Sequence, residues 1–134
     1  MRYLETDRLS RAVATAIAAS SSCDALRMTD SRSSNRGSSV QVANDRLAIS
    51  FVMDWLEGEL DVALGAVGGT KLDLADVADR SSVKVLSLTR LRKGVTVDML
   101  SRRVGQILEL VERTMPGFLL GTESAVAFVT SRSA

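Results

Sequence analysis

The chain has no histidine, one cysteine, one proline and only 4% aromatic residues, in 134 residues that carry 17 basic and 16 acidic side chains. Each scarcity excludes something. Without histidine there is no side chain whose ordinary pKa lies near 7, no imidazole metal ligand, and no Ser-His or Cys-His nucleophile pair. Cys23 is alone, so no intrachain disulfide can form. A net charge of +1 gives no electrostatic reason to expect a polyanion, and nucleic acid is not expected as a partner. No apolar run approaches the roughly 18 residues of a membrane span. At this length a compact chain buries roughly two-thirds of its unfolded surface, so residues 1–134 are expected to fold as a single domain without disulfides or a structural metal.

What is present is a sequence of amphipathic segments. Residues 3–19 read as a helix, because Leu9, Ala12, Val13, Ala16 and Ile17 recur at helical spacing while Glu5, Asp7, Arg8 and Arg11 crowd the other side. The same stretch does not fit a secretory leader. Glu5 and Asp7 sit where positive charge belongs and the apolar run is alanine-rich, so a cytoplasmic location is expected. Residues 20–39 hold eight serines with Arg27, Arg32 and Arg36 and little apolar surface beyond Leu26 and Met28. This composition predicts a flexible Ser/Arg-rich loop.

From Ser39 the period changes to two. Leu47, Ile49, Phe51, Met53 and Trp55 fall on one face of a strand, with Ala48, Ser50, Val52 and Asp54 on the other. Val40 and Val42 predict a shorter strand before it, with Asn44-Asp45 as a tight turn of positive φ. Leu56-Glu57-Gly58-Glu59 predicts a second turn, and Leu60, Val62, Leu64 and Ala66 a third strand. A short helix is expected over Leu72 to Asp79, and an interior strand over Val83 to Leu91. Thr96 is a credible N-cap for a helix with an apolar stripe of Val97, Leu100, Val104, Ile107, Leu108 and Val111, stopped by Pro116-Gly117. Residues 118–134 form a tail in which Ala125, Ala127 and Val129 alternate with Val126 and Phe128 as an edge strand. The expected fold is α+β: a two-layer domain with an antiparallel sheet of four to five strands packed on two main helices.

The chemistry-bearing constellations are few. Gly65 to Lys71 resembles a phosphate-binding loop but lacks the terminal Gly-Lys-Ser/Thr order, and reads better as a strand-to-helix turn. Asp54, Glu57, Glu59 and Asp61 cluster around a hairpin tip, and Asp73, Asp76 and Asp79 on the short helix. Neither set has calcium-loop spacing, so no metal or other cofactor is expected and both sets read as solvated charge. Arg90, Arg92 and Lys93 with Arg102 and Arg103 form a basic patch if strand end and helix start lie together. Fourteen of the 17 basic residues are arginine, suited to bidentate contact with carboxylates, and no aromatic platform for base stacking accompanies them except Trp55. The near-neutral total is therefore an average over acidic and basic patches. Cys23 has no basic neighbour to activate its thiol.

Arg90-Leu91-Arg92-Lys93-Gly94-Val95-Thr96-Val97-Asp98-Met99-Leu100, the helix to Met115 and then Phe118-Leu119 resemble the C-terminal part of YbjN-like domains, in which a strand leads through a Gly-Val-Thr turn into a final amphipathic helix. The element order also resembles the type III secretion chaperones, which share that fold. The chain departs from YbjN domains in its serine-rich segment, its extra tail and the lack of an Asn-rich helix before the late strand. The resemblance implies a non-enzymatic protein-binding domain, often a homodimer, that holds an extended partner segment. The leading expectation is thus a chaperone-like or adaptor domain that binds another protein by a sheet face, sheet edge or helix groove. The residues expected to carry that binding are Trp55, Glu57, Glu59, Asp61, Arg90, Arg92, Arg102 and Arg103. The alternative is an immunity or inhibitor protein that blocks an enzyme with the acidic tip. A small enzyme, resting on carboxylates or lysine alone, comes third.

Overall fold

The computed structural model describes residues 2–33, 37–77, 89–91 and 95–133. In chain order these form helix α1 (Arg2–Ala18), strands β1 (Arg27–Ser33), β2 (Gly37–Ala43), β3 (Leu47–Asp54), β4 (Glu59–Ala66) and β5 (Lys71–Asp73), a single turn α2 (Leu74–Val77), and helices α3 (Val97–Thr114) and α4 (Glu123–Ser133). The five strands make one antiparallel meander in sequence order. This is the expected α+β two-layer architecture. Among the described residues no helix is long and apolar enough to cross a membrane.

The period-two pattern fixes which face of the sheet is buried. Register aligns Val42, Ile49, Leu64 and Leu72 across four strands, then Val40, Phe51 and Val62, then Ser38, Met53 and Leu60. Except for Leu72, which is partly covered, these side chains are buried. The opposite face carries Gln41, Ser50 and Ala63 in one row and Ser39, Val52 and Asp61 in the next, small and polar apart from the 45% exposed Val52. These rows are exposed or half-buried, as antiparallel sheets allow, while Ala43 and Ala48 at the turn end of the same face are buried. Helix α1 lies against β1 and β2 and packs on α3, while α4 lies against β4 and β5. Leu9, Ala12, Val13 and Ala16 of α1 meet Leu100, Val104, Ile107, Leu108 and Val111 of α3 in a common core.

Helix α3 begins as its sequence predicts. The Thr96 hydroxyl accepts a hydrogen bond from the Met99 amide at 3.2 Å. At its far end the Glu112 carboxylate accepts the Gly117 and Leu119 amides at 2.7 and 3.1 Å, holding a turn in which Gly117 has φ 90°.

Five expectations are corrected. The serine-rich stretch 20–39 is not a loop: after a 3-10 turn at Ser21–Cys23 that buries Cys23 and Leu26, it supplies β1 and the start of β2. β1 is an edge strand, and its main-chain pairing with β2 does not require apolar side chains, so its polar composition conceals it. The tail 118–134 is not an edge strand. Thr122 opens α4 by accepting the Ala125 amide at 3.3 Å, and Ala125 and Val129, four apart, are its buried contacts. The glycine-rich loop after β4 is a hairpin turn into β5 rather than a strand-to-helix turn. Of the short helix expected over Leu72 to Asp79, Leu72 and Asp73 belong to β5, Leu74–Val77 form α2, whose Ala75 amide is capped by Asp73 at 3.2 Å, and Ala78 and Asp79 lie outside the described residues. The Asn44-Asp45 turn has no positive φ. The Asn44 side chain itself accepts the Arg46 and Leu47 amides at 3.0 and 2.8 Å. The interior strand expected over Val83 to Leu91 lies outside the described residues except for its end, where Arg90 bridges Glu59.

Candidate functional site

The β3–β4 hairpin tip is a rigid turn. The Asp54 carboxylate accepts the Leu56 and Glu57 amides at 3.0 and 3.1 Å, its carbonyl accepts the Gly58 amide at 2.9 Å, and Gly58 takes the left-handed φ of 68° that closes the turn. Asp54 is therefore a structural member of the acidic cluster. Leu56 stands out at the tip with 55% of its surface exposed, and Glu57, Glu59 and Asp61 are also exposed.

Trp55 is part-exposed at the base of this tip rather than inside the core. Its indole N–H donates to the buried Ser38 hydroxyl at 2.9 Å, and the Arg8 guanidinium lies over its ring at 4.4 Å from the centroid. The Arg8 Nη1 also donates to the Val95 carbonyl at 2.9 Å, which ties α1 to the segment leading into α3.

That segment runs beside the hairpin. Arg90 pairs with Glu59 in an antiparallel bridge, the Leu91 amide donates to the Gly58 carbonyl at 2.6 Å, and the Arg103 guanidinium donates to the Arg90 carbonyl at 3.2 Å. Residues distant in sequence thus meet at one end of the molecule: Trp55, Glu57 and Glu59 from the hairpin, Arg90 from the connecting segment, and Arg103 from α3. The acidic and basic patches read from the sequence are neighbours there.

Not every expected residue joins them. Asp61 lies further along β4, on the solvated face opposite Val52. Arg102 precedes Arg103 and lies roughly 100° from it around the helix, turned to another side, where it is exposed and 3.5 Å from Asp98. Arg92 lies outside the described residues.

Sequence reasoning also missed a cleft of about 580 Å³ on the helical layer, between the end of α1, the 3-10 turn and α3. Its floor includes Ala16, Cys23, Leu108 and Leu119, and Arg102, Glu109 and Arg113 stand at its α3 side. Burial pushes the Cys23 thiol above its ordinary value. A hydrogen bond with Ser20 opposes this, and the charges of Asp24 and Glu112 add to it. A buried thiol held toward its neutral form is a weak nucleophile, and Cys23 packs within the core. Among the described residues no group of three histidine, cysteine, aspartate or glutamate side chains could hold a metal ion.

Comparison with protein-family models, curated proteins and solved structures finds no match for this chain. Its function has to be argued from its surface.

Proposed function

We propose that the chain is a non-enzymatic, cytoplasmic protein-binding domain, chaperone-like or adaptor in character, that engages another protein through the hairpin end. The observation that carries this reading is the meeting of Trp55 and the exposed Leu56 with Glu57, Glu59, Arg90 and Arg103 on a turn held rigid by Asp54. A tryptophan and an exposed aliphatic framed by arginine and carboxylate is the composition of an interface centre with its polar rim. Rigidity favours binding because little conformational freedom is lost on association. Burial of Leu56 supplies apolar area, and charges of both signs fix the partner's orientation and suppress wrong partners.

The test is a photo-crosslinking amino acid placed at Leu56 in the native cell, with the same group at Val67 as the comparison. Val67 is 54% exposed and follows β4 at its other end, about 25 Å away along the strand. A defined adduct from position 56 that is lost on reversing Glu57 and Glu59, and is absent from position 67, is the expected result. Equal labelling from both positions, or none, refutes the reading.

A second reading rests on the exposed carboxylates of Glu57 and Glu59 at that fixed turn, with Asp61 further along β4: an immunity or inhibitor protein that presents them to a basic active site. It predicts that the crosslinked partner is an enzyme and that the purified chain inhibits it. Turnover by the isolated chain, abolished by one carboxylate substitution, would replace both readings with an enzyme.

A further inference from the structure

The outward stripe of α3 carries Asp98, Arg102, Glu109 and Arg113, all exposed, with Gly105 and Gln106 at its midpoint. The spacings of four, seven and four residues keep the four charges on one side of the helix. Reversing the helix about the point between Gly105 and Gln106 exchanges Asp98 with Arg113 and Arg102 with Glu109. Every charge then faces one of opposite sign. A stripe with this pattern is complementary to itself in the antiparallel sense, which is what a twofold interface between identical subunits requires.

Gly105 is the second observation. Glycine in a helix interior is less stable than alanine, and a Cβ built on Gly105 meets nothing within 4 Å, so packing among the described residues gives no reason for glycine there. At the centre of an antiparallel helix pair the missing side chain lets the two backbones approach closely. The cleft borders the same stretch of α3, so among the described residues the ground beside the stripe is concave.

We infer that α3 is the self-association surface of this protein, and that two copies pair through antiparallel α3 helices crossing near Gly105, with Arg102 opposite Glu109 and Asp98 opposite Arg113. Among the described residues of one chain Arg102 makes an exposed 3.5 Å contact with Asp98, weak enough to be exchanged for the partner's Glu109. The inference is independent of the hairpin reading, since it uses another face.

The experiment is sedimentation velocity on the full chain across a concentration series, with the variants Arg102→Glu and Glu109→Arg alone, mixed and combined. The wild-type chain is expected to dimerise reversibly and less tightly as salt rises. Each single variant places like charges opposite one another twice per dimer and should weaken self-association by about tenfold or more. An equimolar mixture of the two single variants restores opposite charges at both positions, so it should associate although neither component does. The double variant Arg102→Glu/Glu109→Arg should regain the dimer. Gly105→Ala should raise the melting temperature of the dilute monomer while weakening association, a split that a purely intrachain role does not produce. A wild-type chain that stays monomeric at every concentration and low salt overturns the inference. So does a mixture no more associated than its components, with circular dichroism showing both folded.

Discussion

The Arg8 guanidinium lies 4.4 Å from the centroid of the Trp55 ring while its Nη1 donates to the Val95 carbonyl at 2.9 Å. One side chain of α1 therefore clamps the base of the hairpin and the approach to α3. Trp55 is the only tryptophan, so the tryptophan fluorescence reports on the surroundings of this one ring, the Arg8 contact among them. Replacing Arg8 by Ala should shift the emission and lower stability by about 1 kcal/mol, the sum of a modest cation–π contact and one hydrogen bond. Arg8→Lys keeps the charge but loses the flat stacking surface, and should recover only part of the emission change. Unchanged fluorescence in Arg8→Ala would mean that the contact does not persist in solution.

Asn44 is the polar hub at the opposite end. It is buried, its Oδ1 accepts the Arg46 and Leu47 amides, and its Nδ2 donates to the Phe118 and Leu119 carbonyls at 2.8 and 3.1 Å. It joins the β2–β3 turn to the loop before α4. Asn44→Ala leaves several buried groups unpaired and should cost about 2–4 kcal/mol in denaturant unfolding. Asn44→Asp keeps the acceptors but turns a carboxylate oxygen toward two carbonyls, so it should not rescue.

Gly121 faces that hub with φ 74°, and a Cβ on it would lie 2.6 Å from the Asn44 Oδ1. Gly121→Ala combines an unfavourable backbone region with a clash against a buried side chain. A loss of about 2 kcal/mol or more is expected, larger than at Gly68, which has a similar φ of 76° and open space around it. Equal losses at the two glycines would show that the Asn44 contact contributes nothing.

Glu112 holds the chain reversal after α3 through two amides. Glu112→Ala should cost about 1–2 kcal/mol in thermal or chemical unfolding, and Glu112→Gln less, because the amide oxygen can still accept one of the two bonds.

The Cys23 thiol is pushed up by burial, which sets a pH dependence with a definite sign. Below the ordinary thiol range both folded and unfolded chains carry a neutral thiol, and this contribution to stability is fully present. As pH rises through that range the unfolded chain ionises first, so the contribution is progressively lost up to the folded-state pKa. Cys23→Ser should flatten that alkaline decline. Thiol reagents should label the native protein at pH 7 far more slowly than the denatured one, and fast native labelling would contradict the buried, neutral thiol.

The strongest alternations proved legible because burial alone dictated them. Leu47, Ile49, Phe51 and Met53 must share a face, and so must Leu60, Val62 and Leu64, whatever covers them. Thr96 announced α3 by local chemistry. β1 was not legible. An edge strand whose side chains are Thr29, Asp30, Ser31 and Arg32 is held by main-chain pairing, and that leaves no apolar period to detect. Helix α4 was misread because Ala125 to Val129 satisfies both periods over five residues. The sequence Gly121-Thr122-Glu123 was the signal that could have decided it. Of the residues proposed to bind a partner, the two clusters were visible as charge in the sequence. That Arg103 joins the hairpin while its neighbour Arg102 turns to the cleft depends on the rotation of α3 against α1.

By itself, the sequence determined the class of fold: an α+β arrangement, in a chain with no histidine and a single cysteine, whose apolar periods specify the core face of the sheet and the two main helices that cover it. Those properties follow from residue types and local spacing. Only the tertiary structure decided that Trp55 lies under Arg8, that Glu59 and Arg90 share a bridge, and that Asn44 ties the first half of the chain to residues 118 and 119. The reason is that such contacts join residues up to 75 positions apart. Their geometry is set by how the helices dock on the sheet, a long-range packing solution that no local pattern encodes.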